Sequence, residues 1–238
     1  MPFISMKFVF TPAVVLLGFT CCCAVVGCAT AGGGLKACRD AKALVAKRTK
    51  ELGAENPKTL YSRTNLIAAM LDLEQGEAAE KEGRELLPIA TRVFGAEYKE
   101  TLVIRKNLAL SLAQQGRMAE AEKEYRTVLP LMQRVIGSDS PKTLRCRADF
   151  IAVIGAQGKN TEAVRESRSL IAAQTRVLGA ENVETLWARY NLAYALHQMG
   201  RQEECQKEIG ELLAVAERVL GREHSLTVKA GRLKKTAV

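Results

Sequence analysis

The chain has 238 residues, 47% of them hydrophobic, with a formal charge of +9 and a pI near 9.3. That is enough apolar material for one or two domains with a real core. The cations are spread among many glutamates, which excludes the dense basic patch that nucleic acid needs. Of the seven cysteines, Cys21, Cys22, Cys23 and Cys28 crowd the apolar N-terminus, while Cys38, Cys146 and Cys205 lie far apart. This is neither a disulfide framework nor a zinc-ligand spacing.

The first element in chain order is an uncharged apolar run from Phe8 to Val26, preceded by Lys7 and followed by small residues and Gly32–Gly34. It has the pattern of a secretory signal, although it is nearly as long as the roughly 20 residues that span a bilayer. "VVGC" at Val25–Cys28 resembles the lipobox of bacterial lipoproteins. The resemblance implies a lipid on the Cys28 sulfur, a mature start at Cys28, and a location at a membrane facing the periplasm or cell exterior. Two alternatives stay open: an uncleaved transmembrane anchor, and palmitoylation of Cys21–Cys23. Residues 1–27 are thus expected to be a signal peptide or anchor, and 28–35 a flexible tether.

From residue 36 onward the chain repeats itself. "TLYSRTNL" at Thr59 returns as "TLVIRKNL" at Thr101, "TLRCRADF" at Thr143 and "TLWARYNL" at Thr185, always 42 residues on. Gly53, Gly95, Gly137, Gly179 and Gly221 keep the same period, each after a large apolar residue. Glycine there ends a helix, because it takes a left-handed conformation without a Cβ clash. Asn56–Pro57 and Ser140–Pro141 then start the next helix. A shorter break falls near Gly76, Gly116, Gly158 and Gly200. Each unit is therefore helix A, tight turn, helix B, long turn. In the second unit Ala121, Tyr125, Val128, Met132 and Val135 form one helical stripe. Ala79, Ala163 and Cys205 share the Ala121 column, where a small side chain fits between touching helices. Pro88 and Pro130 interrupt helix B of the first two units, and the stripe's phase beyond them predicts a kink, not an end.

"NLALSLAQQGRMAEAEKEY" resembles the tetratricopeptide repeat, in the 42-residue form of kinesin light chains and many bacterial proteins. The resemblance covers residues 36–238. It implies an all-α, right-handed superhelical solenoid of antiparallel helix pairs: a leading helix, four full units and a partial fifth. Helices A would line the concave face and helices B the convex face, since one pair cannot bury its own stripe and neighbours must stack.

The resemblance also implies that the Asn column (Asn65, Asn107 and Asn191, with Asp149 substituting) faces the groove and holds the backbone of an extended peptide. An amide suits that task because it both donates and accepts. The alternative is a bond to the next helix within the array. The Arg column (Arg63, Arg105, Arg147, Arg189) reads as structural, its stems in a helix seam and its heads near water or Glu120, Glu162 and Glu204. The fourth helix A is richer than the rest: Trp187, Tyr190, Asn191, Tyr194 and His197 share one face. Such rings either anchor a partner or pack on the incomplete fifth unit.

No nucleophile–His–acid set, HExxH or Gly-rich phosphate loop is present. His197 and His224 are isolated. The sequence therefore predicts a binding protein, not an enzyme. It is expected to use no cofactor, no metal and no small-molecule substrate. Its expected partners are a protein or peptide in the groove and a membrane at the N-terminus. The alternative is an assembly subunit docking through its convex side or edges.

Overall fold

The computed structural model describes residues 31–237. The Phe8–Val26 run, Cys28 and the membrane-tether expectation lie outside them. Among the described residues there are ten helices and no strand. They are α1 (Ala31–Leu52), α2 (Pro57–Asp72), α3 (Gly76–Phe94), α4 (Lys99–Gln114), α5 (Met118–Val135), α6 (Pro141–Ala156), α7 (Asn160–Leu178), α8 (Val183–Gln198), α9 (Gln202–Leu220) and α10 (Ser225–Thr236). Even-numbered helices are type A and odd-numbered ones type B. Each packs on its sequence neighbours, and α2, α4, α6, α8 and α10 also pack on one another in order. B helices meet one another mainly through long charged side chains. The A helices therefore lie on the inner side of an all-α superhelical solenoid.

The 42-residue period is set at the long turn. Gly53, Gly95, Gly137, Gly179 and Gly221 all have φ between +86° and +101°. The threonine that opens the repeated phrase then reaches back to the turn. Thr59, Thr101 and Thr185 each donate from Oγ1 to the carbonyl of Gly53, Gly95 and Gly179, at 2.9, 2.8 and 2.9 Å. Thr143 stands in the same column, fully buried, but its hydroxyl has no partner. Asn56 and Asn182 cap α2 and α8 by accepting from Lys58 N and Glu184 N. His224, isolated in sequence, caps α10 through Nδ1.

The tight turn holds one surprise. Gly116, Gly158 and Gly200 have φ of +77°, +77° and +71°, but in the first unit Glu74 takes the left-handed position with φ +58°. Gly76 instead begins α3, and a Cβ there would stand 3.1 Å from the Ser111 carbonyl. Gly76 is thus a close-approach glycine between α3 and α4. The tether also differs from expectation, since α1 already runs from Ala31. A Cβ on Gly34 would lie 3.0 Å from Leu73 Cδ2, so this glycine seats α1 against the end of α2.

The stripe predicted on α5 is buried through Ala121, Tyr125, Val128 and Met132, while Val135 is exposed. Both α3 and α5 continue through their prolines. Cys205 is buried in the small-residue column, and burial raises its thiol pKa; burial pushes the Cys146 thiol up to about 12. Such thiols are inert packing groups.

The threonine column gives a paired test. Thr101→Val removes a buried bond and should cost about 1–2 kcal/mol, whereas Thr143→Val discards an unpaired hydroxyl and should be neutral or stabilising. Urea denaturation of the two variants beside the parent chain measures the difference.

Candidate functional site

The Arg column faces its own unit's helix B. Arg63 pairs with Glu82 at 2.5 Å, Arg105 with Glu124 at 3.5 Å, Arg147 with Glu166 at 3.7 Å and Arg189 with Glu208 at 2.5 Å. The expected partners Glu120, Glu162 and Glu204 are taken elsewhere: Arg117 holds Glu120, Arg126 holds Glu162, and Arg168 and Arg201 hold Glu204. The Arg column is therefore structural, but its acids lie 19 residues downstream, at the level where A and B cross.

Pointing away from that seam, the Asn column is not uniform. Asn65 is exposed and Asn191 half-buried. Asn107 is only 3% exposed, and its Nδ2 has no hydrogen-bond partner. Asp149 is buried as well and is engaged within the array. Lys106 of α4 lies 3.5 Å from its Oδ2, and Arg145 Nε lies 3.8 Å from its Oδ1. Arg145 in turn pairs with Glu184 of α8 at 3.4 Å. A chain of charges thus crosses three A helices, and Asp149 is its centre. A carboxylate between two cations is already committed, so Asp149 braces neighbouring helices. Asn65 and Asn191 are the members of this column with exposed surface.

The aromatic face of α8 splits in the same way. Trp187 is 3% exposed and meets Tyr190 edge-on, with ring centroids 5.7 Å apart. Lys229 of α10 places Nζ 5.2 Å from the centre of the Trp187 ring. An anchor for a partner needs an open ring in the free protein. Trp187 instead fills the seam with the partial fifth unit. Tyr190 and Tyr194 stack at 6.5 Å and are half-buried, as is His197. Burial pushes the Tyr190 hydroxyl up to about 12 and also raises that of Tyr194, so both remain neutral donors. The open part of this face is Tyr190, Asn191, Tyr194 and His197.

One cluster gave only a faint sequence signal. Tyr98 occupies the cap position held by Asn56, Ser140, Asn182 and His224 in the other units, and it makes no cap bond. Its ring stacks on Phe94 at 5.1 Å, Phe94 meets Tyr61 at 5.5 Å, and the two tyrosine hydroxyls lie 3.4 Å apart. The signal available was a large ring in a column of small polar caps. Among the described residues no cluster of His, Cys, Asp and Glu could hold a metal ion, and no helix is long and apolar enough to cross a membrane.

Two stretches, residues 100–150 and 185–226, match family models of the tetratricopeptide repeat. The chain carries tetratricopeptide repeats. Solved structures of similar fold include a Podosopora anserina kinesin-light-chain-like array of nearly identical TPR-like repeats, at 23% identity and a TM-score of 0.62, covering 79% of this chain and 88% of that one. BtubC (BKLC) of P. vanneervenii aligns at 17% identity and a TM-score of 0.68, covering 87% and 85%. Bacillus thuringiensis PlcR, in complex with the peptide PapR7 and DNA, aligns at 13% identity and a TM-score of 0.59, covering 86% and 70%. No curated protein matches the chain. Tetratricopeptide repeats are scaffolds for protein–protein interaction, and that is the class of activity this array serves.

Replacing Trp187 with Ala should cost about 3–5 kcal/mol of stability, as for other buried large-to-small changes. Because it is the chain's one tryptophan, its own emission in the parent protein reports the burial. Urea unfolding followed by circular dichroism measures the cost, and a loss below about 1 kcal/mol would contradict a seam role.

Proposed function

We propose that the protein is a membrane-tethered scaffold whose inner face binds an extended segment of a partner protein. The observation that carries this reading is the half-open face of α8. Tyr190, Asn191, Tyr194 and His197 offer stacked rings and an amide on one side of an inner helix. Rings of this kind give large contact area for little lost side-chain entropy. Asn65 adds an exposed amide three units away in the same column. The peptide bound to Bacillus thuringiensis PlcR, a protein of the same fold, is in keeping with this mode.

A second reading, an assembly subunit that docks through its outer side, has its own observation. Val93, Val135, Val177 and Val219 form an exposed row, one valine per unit, and the Tyr61–Phe94–Tyr98 cluster sits beside its first member. The two readings separate by photocrosslinking in the native cell. A photoreactive residue at Tyr194 should capture a discrete partner, while one at Val177 should not. Tyr194→Ala should weaken recovery of that partner about tenfold or more with little loss of folded protein. Capture from Val177 alone would favour the outer surface.

The tether is proposed from "VVGC". Intact-mass measurement of the purified protein should show a start at Cys28 with a lipid-sized increment, which Cys28→Ala abolishes. A chain that retains Met1 or Pro2 would leave the uncleaved anchor in its place.

A further inference from the structure

The B helices of the full units neutralise their arginines. Arg84, Arg126 and Arg168 lie against Glu80, Glu122 or Glu162, and Glu204, while Arg92, Arg134, Arg176 and Arg218 pair with Glu55, Glu97, Asp139 and Glu181. The leading helix α1 is also of type B, yet it departs from this pattern. It carries Lys36, Arg39, Lys42, Lys47, Arg48 and Lys50 against Asp40 and Glu51. Arg48 turns inward and donates to Ser62 Oγ and the Lys58 carbonyl. None of the other five forms an ion pair among the described residues, and all five are exposed.

Their placement around the helix is directional. Cys38, Ala41 and Val45 point toward α2. At 100° per residue, Lys36, Arg39, Ala43, Lys47 and Lys50 fall on the opposite side, forming a cationic stripe along α1 with Asp40 at its border. A bare, single-sign stripe lacks the paired acids that offset the arginines of the other B helices. Electrostatically it matches a surface of fixed negative charge.

The sequence supplies the surface. Only residues 27–30 separate the apolar Phe8–Val26 run from the start of α1 at Ala31. Four residues reach at most about 14 Å even when fully extended. If the N-terminus is held at a bilayer, α1 cannot leave the neighbourhood of the lipid headgroups. Basic segments in that position are drawn to anionic lipid within about one Debye length. A second copy of the chain is the weaker candidate, because α10, at the other end of the described array, is also basic, with Lys234 and Lys235 exposed.

We propose that α1 lies with its Lys36–Arg39–Lys47–Lys50 stripe against an anionic membrane surface, fixing how the solenoid stands on the membrane. This rests on the tether reading. It adds that the array is oriented and not merely attached.

The test uses the full-length protein in vesicles of neutral phosphatidylcholine, or with about one-third anionic phosphatidylglycerol. Flotation reports attachment, and amine acetylation read by mass spectrometry reports orientation. Attachment should be equal in both. In anionic vesicles Lys36, Lys47 and Lys50 should react at least fivefold more slowly than in neutral ones, while the exposed Lys81 and Lys123 react alike. High salt should erase the difference, and Arg39→Glu combined with Lys47→Glu should erase it at Lys36 and Lys50. Floating protein with equal reactivity in both vesicles would overturn the orientation while leaving the tether intact. Protein that fails to float would remove the tether and the proposal together. Protection that persists in neutral vesicles and in detergent would mean that protein covers the stripe, and would also overturn it.

Discussion

A helical hairpin of this sequence has an apolar flank on each side and can cover only one of them. Everything else in the molecule follows from that shortage. Each pair must lean on the next, and it must do so at a constant angle for the core to remain continuous. The constant angle comes from the long turn, where a left-handed glycine reverses the chain and a buried threonine hydroxyl ties the new helix to it in three of the four full units. A chain of identical joints gives a solenoid whose stability is a sum of unit and interface terms.

On this apolar frame the charges do a different job. The Arg63–Glu82 type of pair links A to B within a unit, and the Arg134–Glu97 type links a helix B to the turn that precedes its own unit. Exposed pairs contribute little each, in the range of about 0–1 kcal/mol. Their regularity serves register. A hairpin that slipped by one turn would leave an arginine without its acid in several units at once. Glu122 shows the more enclosed version. The Lys159 ammonium, Gln157 and Arg126 together outweigh burial and hold this carboxyl below its ordinary value.

The fold was legible in the sequence because its causes are local and repeated. The glycine column, the threonine phrase and the apolar stripe each recur at 42 residues. The site was less legible because its causes lie across helices. The Asn column looked like four equal groups, but Lys106 and Arg145 turn Asp149 into a brace, and packing closes over Asn107 while Asn65 stays open. Trp187 and Tyr194 differ only in whether α10 reaches over them, which no spacing within α8 reveals. His224 looked isolated because its partner is a backbone N–H two residues on. The Arg column was correctly read as structural, yet its acids could be identified only once the crossing of A and B was known.

The core itself is not one body. One apolar cluster runs from Cys38 to Leu110 and the other from Leu102 to Ala237, and the two divide along α4. Ile104 and Leu110 belong to the first, while Leu102, Ala109 and Leu112 belong to the second. The same helix begins at Tyr98, which, like Ser140 at the start of α6, makes no side-chain cap bond. The boundary is nonetheless the most extensively packed junction of the array: Leu108 of α4 lies against Gly83 of α3, and Gln115 and Arg117 both bond to Glu80 across it. The two clusters are therefore locked together through α4, and opening of the α1–α3 end must also disturb packing that belongs to the second cluster.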